Sequence, residues 1–264
     1  MGACALKRDM IKLGDIDLEL HEVGEGSPLL FFHSGQGFVP DQAFVGMLAK
    51  RYRVIAPSHP GFGASSLPDW LDSIDDIAHV HLELMDRLDL RRAKIIGCSI
   101  GGWIAADLAS KAPERVEKLV LVGPEGVKLG SKLKLDIPDI FAMSEEESVK
   151  LRFHDPAKGR IDLKKLSEEQ LRIIARNNET LALLVWEPYM HNPKLKHRLH
   201  RLDMPVLFMR GESDGLISVE YLAKYAKLVP HARIETIAAA GHSPQVEQPE
   251  AFVAKVTSFF EQGV

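Results

Sequence analysis

Cysteine is scarce in this chain, and long apolar runs are missing. Only two of the 264 residues are cysteines, Cys4 near the N-terminus and Cys98 in a glycine-containing segment. A structural disulfide is therefore not expected, and a reducing compartment fits this usage. No apolar stretch approaches the roughly 20 residues that span a bilayer. The opening MGACALKRDM has no apolar core of a secretory signal, so we expect a cytoplasmic protein.

The chain also lacks a strong excess of charge and the spacings typical of cofactor sites. Lys and Arg number 33 against 37 Asp and Glu, for a net charge of −4. General nucleic-acid and anionic-membrane partners are therefore disfavoured. Gly35-x-Gly37 is not followed by a third glycine, because position 40 is Pro, so a dinucleotide fingerprint is not supported. No His/Cys/Asp cluster has metal-ligand spacing. We expect no metal and no cofactor.

Short apolar segments alternate with helical ones along most of the chain. Two early strands are predicted within 8–23, with a turn at Gly14-Asp15. Further strands are predicted at PLLFFH (28–33), YRVIAP (52–57), AKIIG (93–97), VEKLVLVG (116–123), MPVLFMRG (204–211) and residues 233–237. Helices are predicted at 73–88, after Ser99, near 218–229 and near 248–261. This alternation predicts a mostly parallel sheet with right-handed crossovers.

Residues 128–203 interrupt the alternation. The segment is highly charged, and SEEESVKL and DLKKLSEEQLRIIARNNETLALLVWEPYM are helical by period and propensity. Because it lies between two predicted strands, we expect a helical cap over the carboxyl edge of the sheet, where open α/β sheets bind ligands. The predicted organisation is one core domain, 1–127 with 204–264, and a cap, 128–203.

The segment GCSIG (97–101) joins a predicted strand to a predicted helix. Such a turn is sharp enough to strain the serine backbone and to present the Ser99 hydroxyl at the edge of the sheet. A Cβ at Gly97 or Gly101 is expected to collide with the neighbouring strand or helix. Cys98 is predicted to be a small buried side chain, because apolar residues flank it where a tight turn needs glycine.

The segment GESDG (211–215) also fits Gly-x-Ser-x-Gly. Chain order decides which of the two serines is the candidate nucleophile. A serine nucleophile of this kind is followed by an acid and then by a histidine. Asp214 and His242 follow Ser99 in that order. Only about fifty residues follow Ser213, too few for further strands and two more loops. The second match is therefore interpreted as the loop that carries the acid.

Five motifs occur in a fixed order along the chain. They are HSGQGF (33–38), HPGFGAS (59–65), GCSIGG (97–102), GESDGLIS (211–218) and AGHSPQVEQPEAF (240–252). With them the chain resembles the α/β-hydrolase superfamily, in the capped branch of small esterases, enol-lactonases and carbon–carbon bond hydrolases. The resemblance covers nearly all of the chain outside the cap. It implies an α/β fold with a mostly parallel, twisted, eight-stranded sheet flanked by helices.

The resemblance also implies a catalytic triad. A serine hydroxyl needs a base to become a nucleophile, so Ser99 would attack, His242 would take its proton and Asp214 would orient the imidazole. Two other carboxylates stay open as the acid. Glu125 ends the preceding strand, where some relatives carry the acid, and Glu212 lies beside Asp214.

An oxyanion hole is implied by the same resemblance, because the tetrahedral intermediate needs preorganised N–H donors. One donor is expected from Ile100, the residue after the nucleophile. The usual His-Gly of the other loop is His33-Ser34 here, so alignment gives Gly35 as the second donor, with Ser34 or Gln36 also open. Gln36 is in addition a candidate substrate-binding residue, and His33 is expected to brace the loop.

The substrate pocket is predicted to lie under the cap. Trp186 is the first candidate for a lining residue, ahead of Phe141, Met143, Phe153, Tyr189 and Met190. The expected partner is a small-molecule ester or lactone, and the sequence leaves a homo-oligomer open. Ser99 stands where haloalkane dehalogenases and epoxide hydrolases carry Asp, which argues against both.

These features predict a serine hydrolase that acts on a small carboxylic ester or lactone through an acyl-enzyme. The first alternative is hydrolysis of a carbon–carbon bond in ring-cleavage products. Enzymes of that class usually have a Gly-Pro-Gly oxyanion loop and often a Trp after the histidine, whereas Ser243 follows His242 here. The second alternative is a non-catalytic, ligand-binding hydrolase fold.

Overall fold

A computed structural model describes residues 6–131 and 133–263, which leaves Cys4 outside the described residues. The backbone of these residues forms eight strands, as the sequence predicts. They are β1 (Lys7–Leu13), β2 (Ile16–Val23), β3 (Ser27–Phe32), β4 (Tyr52–Pro57), β5 (Ala93–Cys98), β6 (Val116–Val122), β7 (Val206–Gly211) and β8 (Ala232–Ile237).

The strands form one sheet in the order β1-β2-β4-β3-β5-β6-β7-β8. β1, β2 and β4 pair antiparallel, and every pairing from β4 through β3 to β8 is parallel. The predicted mostly parallel sheet is therefore confirmed. Central strand β5 is buried at each of its positions, as expected of a strand with helices on both faces.

The helices lie between the strands and on both sides of the sheet. They are α1 (Gln42–Leu48), α2 (Ile74–Arg87), α3 (Ile100–Lys111), α4 (Glu145–Arg152), α5 (Pro156–Gly159), α6 (Glu168–Val185), α7 (Val219–Ala226), α8 (Pro244–Glu247) and α9 (Pro249–Glu261). Short α1 and α8 were not predicted. In the described ranges, no helix has both the length and the hydrophobicity that crossing a bilayer requires.

Two apolar clusters hold the layers together, one on each face of the sheet. Successive side chains of a strand point to opposite faces, so Phe31 joins one cluster and Phe32 the other. Phe31 packs edge-on against Phe44 of α1, with ring centroids 5.1 Å apart. On the other face, Phe208 of β7 packs against Tyr225 of α7 at 5.2 Å. Each fully buried aromatic contributes roughly 1.5–3 kcal/mol of transfer free energy.

Between β6 and β7 the described residues form helices and turns but no strand. The long helix predicted from DLKKL onward begins only at Glu168. The cause is Ser167, whose hydroxyl accepts from the Gln170 N–H while the Gln170 side chain accepts from the Ser167 N–H. The predicted start is therefore wrong, because this capping box fixes the helix end. That these residues act as a cap stays a prediction.

Candidate active site

Ser99 lies in a sharp turn between β5 and α3. Its backbone has φ 56° and ψ −121°, a conformation that L-residues rarely adopt. A Cβ on Gly97 would collide with the Gly101 carbonyl, and a Cβ on Gly101 would collide with the carbonyls of Phe32 and His33. The predicted strained turn and the reason for its two glycines are confirmed.

The two rival nucleophiles occupy other environments. Cys98 is buried, and burial raises the pKa of its thiol well above the usual range, so the reactive thiolate is disfavoured. Ser213 lies in the loop after β7, and its Oγ is 2.8 Å from His154 Nδ1. GESDG (211–215) thus forms the loop that carries Asp214, as the chain order predicts.

The structure brings Ser99, His242 and Asp214 into one line. Ser99 Oγ is 3.0 Å from His242 Nε2, and His242 Nδ1 is 3.0 Å from Asp214 Oδ2. The other Asp214 oxygen accepts from the N–H groups of Leu216 and Ile217, each at 2.9 Å. Burial raises the pKa of Asp214, but the His242 charge and these hydrogen bonds outweigh it and hold this pKa below its usual range. Asp214 is therefore a carboxylate that accepts a hydrogen bond from Nδ1–H, and Nε2 is free to accept one from Ser99.

Glu247 anchors the loop that carries His242. Its buried carboxylate accepts from the N–H groups of Gly241, at 2.6 Å, His154, at 3.2 Å, and Asp155, at 3.0 Å. These bonds join the histidine loop to the residues between α4 and α5. Sequence reasoning did not single out Glu247; the available signal is its place five residues after His242, within AGHSPQVEQPEAF.

A second carboxyl group, that of Glu125, contacts the serine itself. Glu125 Oε1 lies 3.0 Å from Ser99 Oγ, and the side chain is buried. Of the three candidate acids, Asp214 is the one that contacts His242, while Glu212 is exposed at the surface. The contact between Glu125 and Ser99 was not predicted. The sequence feature that points to this contact is the position of Glu125 shortly after β6, at the carboxyl edge of the sheet.

The loop after β3 forms a turn beside the start of α3. Gly37 N–H donates to the Ser34 carbonyl at 3.0 Å, and Gln36 N–H donates to Ser34 Oγ at 3.3 Å. Ile100 is the first residue of α3, where an N–H has no acceptor within the helix. The assignment of Ile100 and Gly35 as oxyanion donors stays a prediction.

Three buried histidines lie beneath this loop. His33 Nε2 accepts from the His59 N–H at 3.0 Å, and His33 Nδ1 is 2.7 Å from the Ser34 carbonyl. His59 Nδ1 is 2.8 Å from His81 Nε2. Burial opposes the charged form and lowers the pKa of His33 to about 4 and that of His81 to about 3. Burial also lowers the pKa of His59 well below its usual range, so the three rings are neutral and brace the loop, as expected of His33.

These histidines make folding stability depend on pH. Their folded-state pKa values lie below the unfolded value, so the unfolded chain binds more protons as pH falls through about 6.5. We expect these three histidines to lower the free energy of unfolding by a few kcal/mol between pH 7.5 and pH 5, whereas the raised pKa values of the buried Asp41 and Glu125 act in the opposite direction. Urea titrations at both pH values measure this change. His81→Gln is expected to reduce it, whereas exposed His79→Gln on the same helix leaves it intact. A pH-dependent change in stability that is the same in wild type and in His81→Gln would contradict the prediction.

Helix α6 lies across the loops that follow β3 and β4. The buried Asn177 side chain donates to the Gln36 carbonyl and accepts from the Gly63 N–H, both at 3.0 Å. Thr180 Oγ1 donates to the Gly61 carbonyl at 2.9 Å. The segment 128–203 is thus attached to the loop that holds Gly35, the predicted second oxyanion donor. The role of the Gln36 side chain in substrate binding stays a prediction.

Three of the predicted pocket residues pack together, because the Phe141 ring contacts both Trp186 and Tyr189. Trp186 follows α6 with 58% of its surface exposed, and its ring packs against Phe141 at 5.5 Å. Tyr189 and Met190 border a cavity, lined also by Val127, Ile137, Pro188 and His191. Among the described residues, no three His, Cys, Asp or Glu side chains form a group that could hold a metal. The substrate-binding role of Trp186 remains a prediction.

The sequence is similar to those of known hydrolases. A sequence model described as the alpha/beta hydrolase family matches residues 29–255. The chain is 28% identical over 256 residues to 2-hydroxymuconate semialdehyde hydrolase of Pseudomonas putida, a match that covers 92% of this chain and 90% of that protein. It is also 28% identical over 251 residues to pimeloyl-[acyl-carrier protein] methyl ester esterase of Photobacterium profundum, covering 90% of this chain and 96% of the relative.

Solved structures share the fold. The 2-hydroxy-6-oxo-6-phenylhexa-2,4-dienoate hydrolase of Rhodococcus sp. strain RHA1 superimposes with a TM-score of 0.76 at 21% identity, covering 98% of this chain and 100% of that one. A serine hydrolase of Cycloclasticus zankles gives a TM-score of 0.79 at 20% identity, covering 97% and 98%. At these identities the likeness concerns the fold alone.

Proposed function

The chain belongs to the alpha/beta hydrolase family, and from this membership and the geometry of the site we propose that it is a serine hydrolase of a small carboxylic ester or lactone. The observation that carries the proposal is the line from Asp214 through His242 to Ser99. Both contacts in this line measure 3.0 Å, and it ends on a serine held at a strained turn.

The reaction begins when Ser99 Oγ attacks the substrate carbonyl carbon. The Ser99 proton moves to His242 Nε2, and Asp214 stabilises the imidazolium that forms. The carbonyl π electrons move to oxygen, and the N–H groups of Ile100 and Gly35 stabilise this oxyanion. Collapse of the intermediate expels the alcohol, which takes the proton from His242. A water deprotonated by His242 then hydrolyses the acyl-enzyme and releases the acid.

The segment 128–203 serves as the cap in this proposal. The contacts of α6 with the loops after β3 and β4 support a position over the carboxyl edge of the sheet. Specificity then depends on the cap and on the oxyanion loop, with Trp186 and Gln36 as substrate-binding residues. The proposed chemistry uses side chains, backbone N–H groups and water and requires no cofactor.

Active-site labelling tests the proposal. A fluorophosphonate, which reacts with an activated serine, is expected to modify the protein at Ser99 alone, as mapped by mass spectrometry. An ester panel of increasing acyl length then measures the size of the acyl pocket. A folded protein that is neither labelled nor active on any ester would instead favour a ligand-binding role for the fold.

Carbon–carbon bond hydrolysis is the second candidate. It is supported by the similarity of this chain to the semialdehyde hydrolase of P. putida. The two are 28% identical, the same identity as with the methyl ester esterase. Assaying one vinylogous diketone beside the ester panel separates the two. A kcat/KM for the diketone that exceeds that of every ester and lactone would replace the ester proposal.

A further inference from the structure

Glu125 is a carboxyl group in contact with the proposed nucleophile that the triad mechanism does not use. Its Oε1 lies 3.0 Å from Ser99 Oγ, the same distance that separates Oγ from His242 Nε2. The hydroxyl is therefore placed between a carboxyl group and an imidazole. The following inference rests on the proposed role of Ser99 as a nucleophile.

The hydrogen-bond donors and acceptors from Asp214 through His242 to Ser99 constrain the protonation state of Glu125. Asp214 is an acceptor, so His242 Nδ1 is the donor in that contact and the neutral ring presents Nε2 as an acceptor. Ser99 has a single hydroxyl proton. If Glu125 were ionised, Oε1 and Nε2 would both be acceptors competing for that proton. If Glu125 is a neutral acid, its own O–H donates to Ser99 Oγ and each of the contacts has a proton.

The surroundings of the second Glu125 oxygen point the same way. Oε2 is buried and has no hydrogen-bond partner among the described residues. An ionised Glu125 would therefore have the Ser99 hydroxyl as its one donor, far fewer than a buried carboxylate needs. Transferring the Glu125 proton to His242 would leave Glu125 as the same buried carboxylate, now next to an imidazolium. Burial accordingly raises the pKa of Glu125, against the opposing influence of His242, Ser99 and Arg152.

We propose that Glu125 is a further catalytic residue that works as a neutral carboxylic acid, donating its O–H to Ser99 Oγ and directing the Ser99 proton to His242. During attack the Ser99 proton moves to Nε2, the Oγ–carbon bond forms and the carbonyl π pair moves to oxygen. The Glu125 proton stays on Glu125. Its hydrogen bond fixes the orientation of the hydroxyl before the attack.

The proposal predicts an alkaline decline in reactivity. Once Glu125 loses its proton it becomes an acceptor, and the Ser99 hydroxyl is diverted from His242. The titratable and charged groups around Glu125 come from several elements: His242, Asp214, Arg152, Tyr189 and Tyr221. Both tyrosines remain protonated over the alkaline range in which Glu125 would lose its proton. Burial raises the pKa of Tyr189 to about 12, and it also raises the pKa of Tyr221.

The test compares pH profiles of kcat/KM and of fluorophosphonate labelling for three proteins. Wild type is expected to decline on the alkaline side. Glu125→Gln keeps an N–H donor toward Oγ but cannot ionise, so its profile should stay flat there, with activity at neutral pH lowered about three- to tenfold. The control is Asp41→Asn, because burial raises the pKa of Asp41 to about 7 and its carboxyl group contacts Gln245 rather than Ser99. This variant should keep the alkaline decline.

Two results would overturn the proposal. One is an unchanged alkaline decline in Glu125→Gln, and the other is a loss of activity as large as that of Ser99→Ala. Infrared difference spectra give a readout that needs neither turnover nor the Gln variant. In the Asp41→Asn protein, a carbonyl stretch of a neutral carboxyl group should persist at neutral pH. Its absence would reject a protonated Glu125, whereas failure of labelling at Ser99 would reject the proposed function itself.

Discussion

Replacing Ser99 with Ala is expected to leave the fold intact and to lower hydrolysis on the order of 10³-fold or more. The reason is geometric: Oγ is the atom that His242 Nε2 approaches at 3.0 Å, and Ala has no hydroxyl to attack a carbonyl. Steady-state kcat/KM on the best ester of the panel measures the loss. Thermal melting followed by circular dichroism checks that the variant is folded.

Ser213→Ala is the matched control, because it alters the serine of the other Gly-x-Ser-x-Gly match. Ser213 Oγ contacts His154 Nδ1, outside the line formed by Asp214 and His242, so activity and labelling should remain. Hydrolysis that survives in Ser99→Ala at more than a tenth of the wild-type rate would refute the acyl-enzyme mechanism.

Replacing Asp214 with Asn is expected to lower kcat by about 10⁴-fold, as loss of the orienting carboxylate does in other triads. The carboxylate accepts the Nδ1 proton at 3.0 Å and leaves Nε2 free for the Ser99 proton. An amide can instead donate to Nδ1, which places the ring proton on Nε2 and prevents it from acting as a base. Single-turnover and steady-state rates across pH measure the effect.

The neighbouring carboxylates provide the comparison. Glu212→Gln alters an exposed residue two positions away and should change kcat less than about twofold. If Asp214→Asn costs less than tenfold, and Glu125→Gln in that background removes the rest, then Glu125 is the acid that supports His242. That outcome would also contradict a protonated Glu125.

Much of the fold follows from local sequence signals. The predicted strands match the observed ones to within a few residues, because short apolar runs closed by polar residues are typical of buried parallel strands. The helix predicted at 73–88 forms as α2 behind its Ser73 cap. Helix α1 was missed because its seven residues show too little periodicity. The start of α6 was misplaced because propensity continues through DLKKL, whereas the capping box at Ser167 begins the helix later.

The candidate site was predictable at positions where local geometry permits only one residue type. Gly97 and Gly101 leave no room for a Cβ, and this pattern together with the chain order of the acid and the histidine singles out Ser99 over Ser213. The carboxyl edge of a parallel sheet collects the residues after each strand, which explains why Asp214 and His242 meet there. The contact of Glu125 with Ser99 could not be predicted, since it depends on where the β6 loop places one side chain.

The sequence by itself determined the order of the chemical groups in this protein: a serine at a tight turn, then an acid, then a histidine, each after a strand. Local sterics and hydrophobic periodicity suffice for that, because they act over a few neighbouring residues. Only the tertiary structure decided that Asp214 contacts His242, that Glu125 contacts Ser99, and that Glu247 holds the histidine loop. The contacts of Asp214 with His242 and of Glu125 with Ser99 join residues 28 and 26 positions apart, so burial and packing of whole elements select them.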